Sequence, residues 1–132
     1  MDGFERQFVD GPAGRIAIHL GGPPKGPAVL LNHSILASSA MWQQQAELLA
    51  EGGYCVVCID TRGHGDSDAA APPYAMSELV DDTVAVLDAL RITRAHLVGL
   101  SLGGMSAIGL AIAHPQRLLS LLVCDARADM PG

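Results

Sequence analysis

Cationic charge is scarce in this sequence. Charged residues make up 17% of its 132 positions, and eight Lys and Arg stand against fourteen Asp and Glu, for a formal net charge of −6. No basic stripe is present to neutralise phosphates or anionic headgroups, so neither nucleic acid nor a membrane surface is an expected partner. Cysteine is scarce too: Cys55, Cys58 and Cys124 are an odd set inside apolar runs, unlike a secreted disulfide framework. A reducing, cytoplasmic setting is expected. No stretch reaches the ~18 apolar residues of a membrane span, and Met1 to Arg6 lacks the basic, apolar, small-residue order of a signal peptide. Internal repeats, metal-ligand spacings and a Gly-rich dinucleotide fingerprint are also missing. Cys55 and Cys58 fall in one strand candidate, where side chains three apart point to opposite faces. No cofactor and no metal are therefore expected.

What the sequence does have is 49% hydrophobic residues and enough length for one domain, residues 1–132, with a real core. Phe4 to Val9 and Arg15 to Leu20 alternate apolar and polar residues around Asp10-Gly11-Pro12-Ala13-Gly14, which predicts an antiparallel hairpin with one wet face. Beyond the turn Gly21 to Pro27 the pattern changes to unbroken apolar runs: Ala28 to Leu31, Tyr54 to Ile59, Ala95 to Leu100 and Leu118 to Cys124. Parallel strands buried on both faces require such runs.

Helical faces separate these runs. Met41, Trp42, Gln45, Leu48 and Leu49 share one face behind Ser38 or Ser39 as cap, with Gly52-Gly53 as stop. Met76, Leu79, Val80, Thr83, Val84, Leu87 and Leu90 follow helical spacing behind Ser77, leaving a wet, acidic opposite face. Gly103 to His114 is apolar almost all round and stops at Pro115, which predicts a buried helix. Alternating β and α units make this an α/β fold with a mostly parallel sheet and right-handed crossovers.

Gly99-Leu100-Ser101-Leu102-Gly103 falls where a strand candidate meets a helix candidate. Small residues on both sides let backbones approach closely in a sharp turn, which lifts the Ser101 hydroxyl above the sheet at a helix N-terminus. Ser101 is the candidate nucleophile, and the Leu102 N–H a candidate oxyanion donor. An oxyanion site needs a second donor, expected from the loop after the first parallel strand, which reads Asn32-His33-Ser34-Ile35-Leu36 with Trp42 beyond it. Asp60-Thr61-Arg62-Gly63-His64-Gly65-Asp66-Ser67 follows the next strand as a tight turn. Asp60, Arg62 and His64 are read as structural.

Asn32-His33-Ser34, Asp60-x-Arg62-Gly63-His64-Gly65 and Gly99-Leu100-Ser101-Leu102-Gly103-Gly104, in this order, resemble the α/β-hydrolase family, and most of all the 3-oxoadipate enol-lactonases and their relatives. The resemblance covers nearly the whole chain. It implies the N-terminal half of an α/β-hydrolase fold, with Ser101 as nucleophile and Ile35 and Leu102 as oxyanion donors.

A serine hydroxyl needs a histidine base oriented by a carboxylate. The resembled family supplies them in the order serine, acid, histidine, on a chain about twice as long. Only His114 follows Ser101, and it lies at the far end of the helix that Ser101 opens. His33 belongs to the oxyanion loop as an anchor, and His19, His64 and His96 fall in hairpin, loop and strand positions. Asp125, at the end of the last apolar run, is the candidate acid within this chain, as in haloalkane dehalogenases, against a rim or ion-pair role with Arg127. Leu118 to Cys124 would be an uncovered apolar edge. These gaps together lead to the expectation of a partner: a C-terminal half of the same hydrolase, nicked or separately encoded, that supplies the cap, the last strands and the histidine. The expected activity is serine-dependent hydrolysis of a small-molecule ester or enol-lactone, with this chain alone inactive. The alternatives are a non-catalytic half-domain used for binding or assembly, and a complete small α/β domain of flavodoxin-like size, which the lack of a phosphate loop disfavours.

Overall fold

The computed structural model of the protein describes residues 1–68 and 75–125. Strands β1 (Glu5–Gly11) and β2 (Gly14–Gly21) form the expected hairpin, and β2 pairs antiparallel with β4 (Cys55–Ile59). From there the sheet is parallel, with β3 (Ala28–Asn32) beside β4, β5 (Ala95–Leu100) beside β3, and β6 (Leu118–Cys124) beside β5. The strand order is β1-β2-β4-β3-β5-β6.

Period-2 geometry sends alternate side chains of the central strands to opposite faces, and each face has its own cluster. Leu30, Val57 and Leu97 pack with Val80, Val86 and Leu87 of α2 (Met76–Ala89) and with Ala107 and Leu110 of α3 (Leu102–Ala113). On the other face Val29, Leu31, Val56 and Cys58 meet Trp42 and Ala46, the latter on α1 (Gln43–Glu51). Leu30, Val57 and Leu97 have no solvent exposure, and each contributes roughly 1.5–3 kcal/mol by burial. Because β4, β3 and β5 are parallel, the loops leaving their carboxyl ends gather at one edge, where open α/β sheets place their sites.

Several sequence expectations are corrected in detail. β2 does not have a wet face at its centre: Ile16, Ala17, Ile18 and His19 are all buried, because the loop after β4 folds over it, with Ser67 Oγ accepting from the Ala17 N–H at 2.8 Å. The first helical segment starts as a 3-10 turn over Ser39–Trp42, capped by Ser38, whose Oγ accepts from the Ala40 N–H. α2 begins after Ala75 rather than Ser77, with the Glu78 carboxylate accepting from the Ala75 N–H at 3.0 Å. Its acidic side is not uniformly wet, since Asp82 is buried. α3 buries Gly103, Gly104, Ser106, Ala107 and Leu110, but Ile112 is 75% exposed.

Among the described residues β6 is the edge of the sheet, and its residues from Leu119 to Leu122 are exposed. Beside it, on the α1 face, Leu31, Trp42, Leu48, Leu49, Val98 and Leu122 line an open apolar groove of about 400 Å3. Among the described residues no helix is long and apolar enough to cross a membrane.

Candidate active site

The turn from β5 into α3 is as sharp as its glycines predict. Ser101 sits at φ 54°, ψ −112°, a conformation that L side chains adopt only when the surroundings impose it. A Cβ on Gly99 would run into the Gly103 carbonyl, and one on Gly103 would strike the Asn32 carbonyl and lie 2.7 Å from that of His33. The two glycines therefore let the first turn of α3 press onto the carboxyl ends of both β5 and β3. The Ser101 N–H donates to the Cys124 carbonyl, and its own carbonyl accepts from the Met105 N–H, both at 2.9 Å. Among the described residues the half-buried Ser101 side chain has no hydrogen-bond partner.

Asn32 pairs with Gly99 across the sheet, so the loop that carries Ile35 leaves β3 beside the strand that leads to Ser101. That loop turns tightly, with the Ala37 N–H donating to the Ser34 carbonyl, and its apex is Leu36, at φ 61° and 92% exposed. Among the described residues the N–H groups of Ile35 and Leu102 have no acceptor. The Ser34 hydroxyl points toward Met41, 3.8 Å from its sulfur.

The loop after β4 underlies both. Asp60 is buried and accepts from the Ser39 N–H at 2.8 Å, the Asp66 N–H at 3.1 Å and, through a 3.2 Å contact, His19 Nε2. Burial works to raise its carboxyl pKa, but these hydrogen bonds outweigh it and hold the group below the usual carboxylate value. Gly65, at φ 51°, lies over the carboxyl so closely that a Cβ there would strike it. Arg62 is buried in a two-pronged ion pair with Asp82, at 2.7 and 2.8 Å, and reaches Glu78 at 2.9 Å. The Asp82 hydrogen bonds raise its pKa further, so the guanidinium is permanently charged. Asp60 and Arg62 thus take the structural places expected of them.

None of the histidines is bonded to Ser101 among the described residues. His33 is fully buried, its Nε2 accepting from the Thr61 N–H at 2.9 Å and its Nδ1 lying 2.7 Å from the Ser34 carbonyl. His64 Nδ1 contacts the Arg62 carbonyl, and its ring lies 5.2 Å from that of His33. His96 Nδ1 meets Ser120 Oγ at 2.6 Å, and His114 follows the far end of α3. Asp125 is exposed at φ 49°, next in the chain to the residue whose carbonyl holds Ser101, and Arg127 lies outside the described residues.

The expected trio is thereby gathered at one sheet edge: Ser101 and Leu102 on the elbow, Ile35 on the adjoining loop. The sequence reading gave Asp60 and Arg62 structural roles but did not name Asp82 as the partner of Arg62. A signal for the pair existed, because Asp82 interrupts the stripe of Leu79, Thr83 and Val86, where an acid implies a buried partner. The arrangement offers a hydroxyl and, among the described residues, one N–H donor without an acceptor at a helix N-terminus, with a second on the loop that leaves the neighbouring strand, which suits an attack that builds negative charge on oxygen.

The family model described as alpha/beta hydrolase fold matches residues 27–132. The 3-oxoadipate enol-lactonase 1 of Acinetobacter baylyi is 36% identical over 115 residues, covering 87% of this chain and 42% of the relative. A fluoroacetate dehalogenase of a Burkholderia species is 38% identical over 130 residues, covering 95% and 42%. Among solved structures, a hydrolase from Pseudomonas aeruginosa superposes with a TM-score of 0.91 at 34% identity, over 96% of this chain and 48% of that one. The chain spans about 40% of the length of the curated relatives it matches.

Proposed function

The chain belongs to the α/β-hydrolase fold family, and we propose that it carries the nucleophilic half of a serine hydrolase that cleaves an ester or enol-lactone. The observation that carries this reading is Ser101 at positive φ at the apex of the β5–α3 turn, next in the chain to the Leu102 N–H, which has no acceptor among the described residues; the Ile35 loop leaves the neighbouring strand. The Ser101 oxygen attacks the acyl carbon while a histidine takes its proton, and the Leu102 and Ile35 N–H groups receive the oxyanion. Collapse expels the alcohol or enol with that proton, leaving an acyl-serine. Water then attacks the acyl carbon, giving one proton to the histidine, and the acid product leaves as the serine is reprotonated.

The histidine belongs to a C-terminal half of the same hydrolase, which covers the edge of β6 and the apolar groove beside it. The acid comes from that half as well, with Asp125 as the candidate within this chain. The likeness to an enol-lactonase supports the lactone substrate class, and the likeness to a dehalogenase supports only the broader class of hydrolysis.

A fluorophosphonate probe applied to this chain together with its C-terminal half tests the reading. Labelling on Ser101, lost in Ser101→Ala along with turnover of simple aryl esters, is expected. Turnover of Ser101→Ala within tenfold of the parent overturns the assignment, and a folded assembly that neither labels nor turns over favours a non-catalytic half-domain.

A further inference from the structure

The loop Ser34–Ala37 has one bond of its own, from the Ala37 N–H to the Ser34 carbonyl at 3.2 Å, and it is open to solvent: Ile35 is 58% exposed, and Leu36 is more exposed still. An oxyanion donor nevertheless has to be placed to within about 0.5 Å to be useful, and a second, shorter hold on the same carbonyl comes from His33, outside the turn. The Thr61 N–H occupies His33 Nε2 as acceptor, which leaves the ring proton on Nδ1. Nδ1–H then donates to the Ser34 carbonyl at 2.7 Å. That carbonyl and the Ile35 N–H belong to one peptide unit, and a peptide unit is planar and trans. A bond that fixes the direction of the C=O therefore fixes the opposite direction of the N–H.

We propose that His33 aims the Ile35 N–H at the reacting oxygen through the Ser34–Ile35 peptide plane, with the Thr61 N–H setting the ring tautomer. This rests on the reading of Ser101 and Ile35 as nucleophile and oxyanion donor. His33 is then a positioning residue that never touches substrate. The far end of the same loop is held by the neighbouring residue of the β4 loop, where Asp60 accepts the Ser39 N–H at 2.8 Å. Asp60 and Thr61 thus grip both ends of the segment, and the His33 ring sets its angle. Burial works in the same direction, because it disfavours the doubly protonated ring, which has no lone pair for Thr61.

Two substitutions separate aiming from mere anchoring. Asn at 33 places an amide where Nδ1 stood and keeps the donor to Ser34, while losing the reach to Thr61. Gln at 33 does the reverse. In the assembled enzyme His33→Gln is expected to lower kcat by about 10–100-fold with KM changed less than about threefold, since an oxyanion donor acts mainly in the transition state. His33→Asn is expected to keep kcat within about fivefold of the parent. The reverse order, or losses confined to KM, overturns the proposal in favour of an anchor between loops. Should Ser101→Ala remain active in the same assay, the underlying hydrolase reading falls; should it be inactive while the two His33 variants behave alike, only the aiming role falls. Nitrogen-15 spectra of the unsubstituted protein give a readout that needs no turnover: His33 is expected to be neutral and protonated on Nδ1 at pH 7, and a proton on Nε2 overturns the proposal.

Discussion

The Ser101 N–H donates to the Cys124 carbonyl at 2.9 Å, so the apex of the elbow hangs on the final residue of the sheet's edge strand. Among the described residues β6 has one partner, β5. The Ser101 amide should therefore exchange its proton through the same opening that frees β6, faster than Leu97 in the middle of β5. Native-state hydrogen exchange checks this, and adding a C-terminal half should slow Ser101 and β6 together. Protection of Ser101 equal to that of Leu97 in the chain alone would refute the coupling.

Replacing Ser101 by glycine should make the protein more stable while removing the proposed nucleophile. The observed φ and ψ cost a non-glycine residue ~1–3 kcal/mol, and the greater freedom of glycine in the unfolded chain returns ~0.4–1 kcal/mol of that. A net gain on the order of 1 kcal/mol is expected, which chemical denaturation resolves. Ser101→Ala keeps the strained backbone and should show no such gain.

Ile35→Pro deletes the proposed donor, and a rate loss on the order of 10²–10³ is expected for a donor that is used. Circular dichroism and the parent's thermal midpoint establish that the variant is folded. Unchanged turnover in a folded variant removes Ile35 from the site.

The pair between Arg62 and Asp82 is enclosed; removing Arg62 leaves Asp82 a buried charge, whereas removing Asp82 leaves Arg62 its contacts to Glu78. Arg62→Met should cost about 3–5 kcal/mol of folding stability, and Asp82→Leu less, since Glu78 still faces the guanidinium. The double change to Arg62→Met with Asp82→Leu should cost much less than the sum, because no lone buried charge remains. Denaturant midpoints of the four proteins form the cycle that measures this.

Stability should fall in two stages on acidification. Burial holds His33 below its ordinary 6.5, against the opposing pull of its bond to Ser34, with His64 and Asp60 as its charged neighbours. Between the folded value and 6.5 the unfolded chain binds the extra proton, so this contribution is complete above 6.5 and is lost as pH falls through the folded value. Asp60, depressed below 3.8, gives a second loss that begins near that pH and ends as its folded value is passed. Urea midpoints between pH 3 and 8 should show both stages in the parent, and only the lower one in His33→Gln.

The parallel strands were legible because Val29 to Leu31 and Val56 to Ile59 belong to short unbroken apolar runs, each entered from a glycine-containing turn and too short for a buried helix. The elbow was legible because its two small residues sit at a fixed distance either side of Ser101. Where the reading slipped, a side chain was serving a backbone group elsewhere. Glu78 satisfies the Ala75 N–H, so the helix starts before Ser77. Ser67 satisfies the Ala17 N–H, so β2 is covered where alternation promised a wet face. The His33 bond to Ser34 links neighbours in sequence, yet a ring beside a carbonyl leaves no periodic trace.

The β1–β2 hairpin closes across a turn of a few residues, whereas Gly103 against Asn32, Thr61 with His33 and Ser101 with Cys124 each close much longer stretches of chain or complete the last strand. Long closures are entropically expensive until the contacts around them exist, so they form late. A newly synthesised chain thus acquires its hairpin well before it acquires a strained serine. Under the proposed reading of Ser101 as nucleophile, its hydroxyl remains as inert as any other serine's until the architecture is complete, and the growing polypeptide is spared premature acylation.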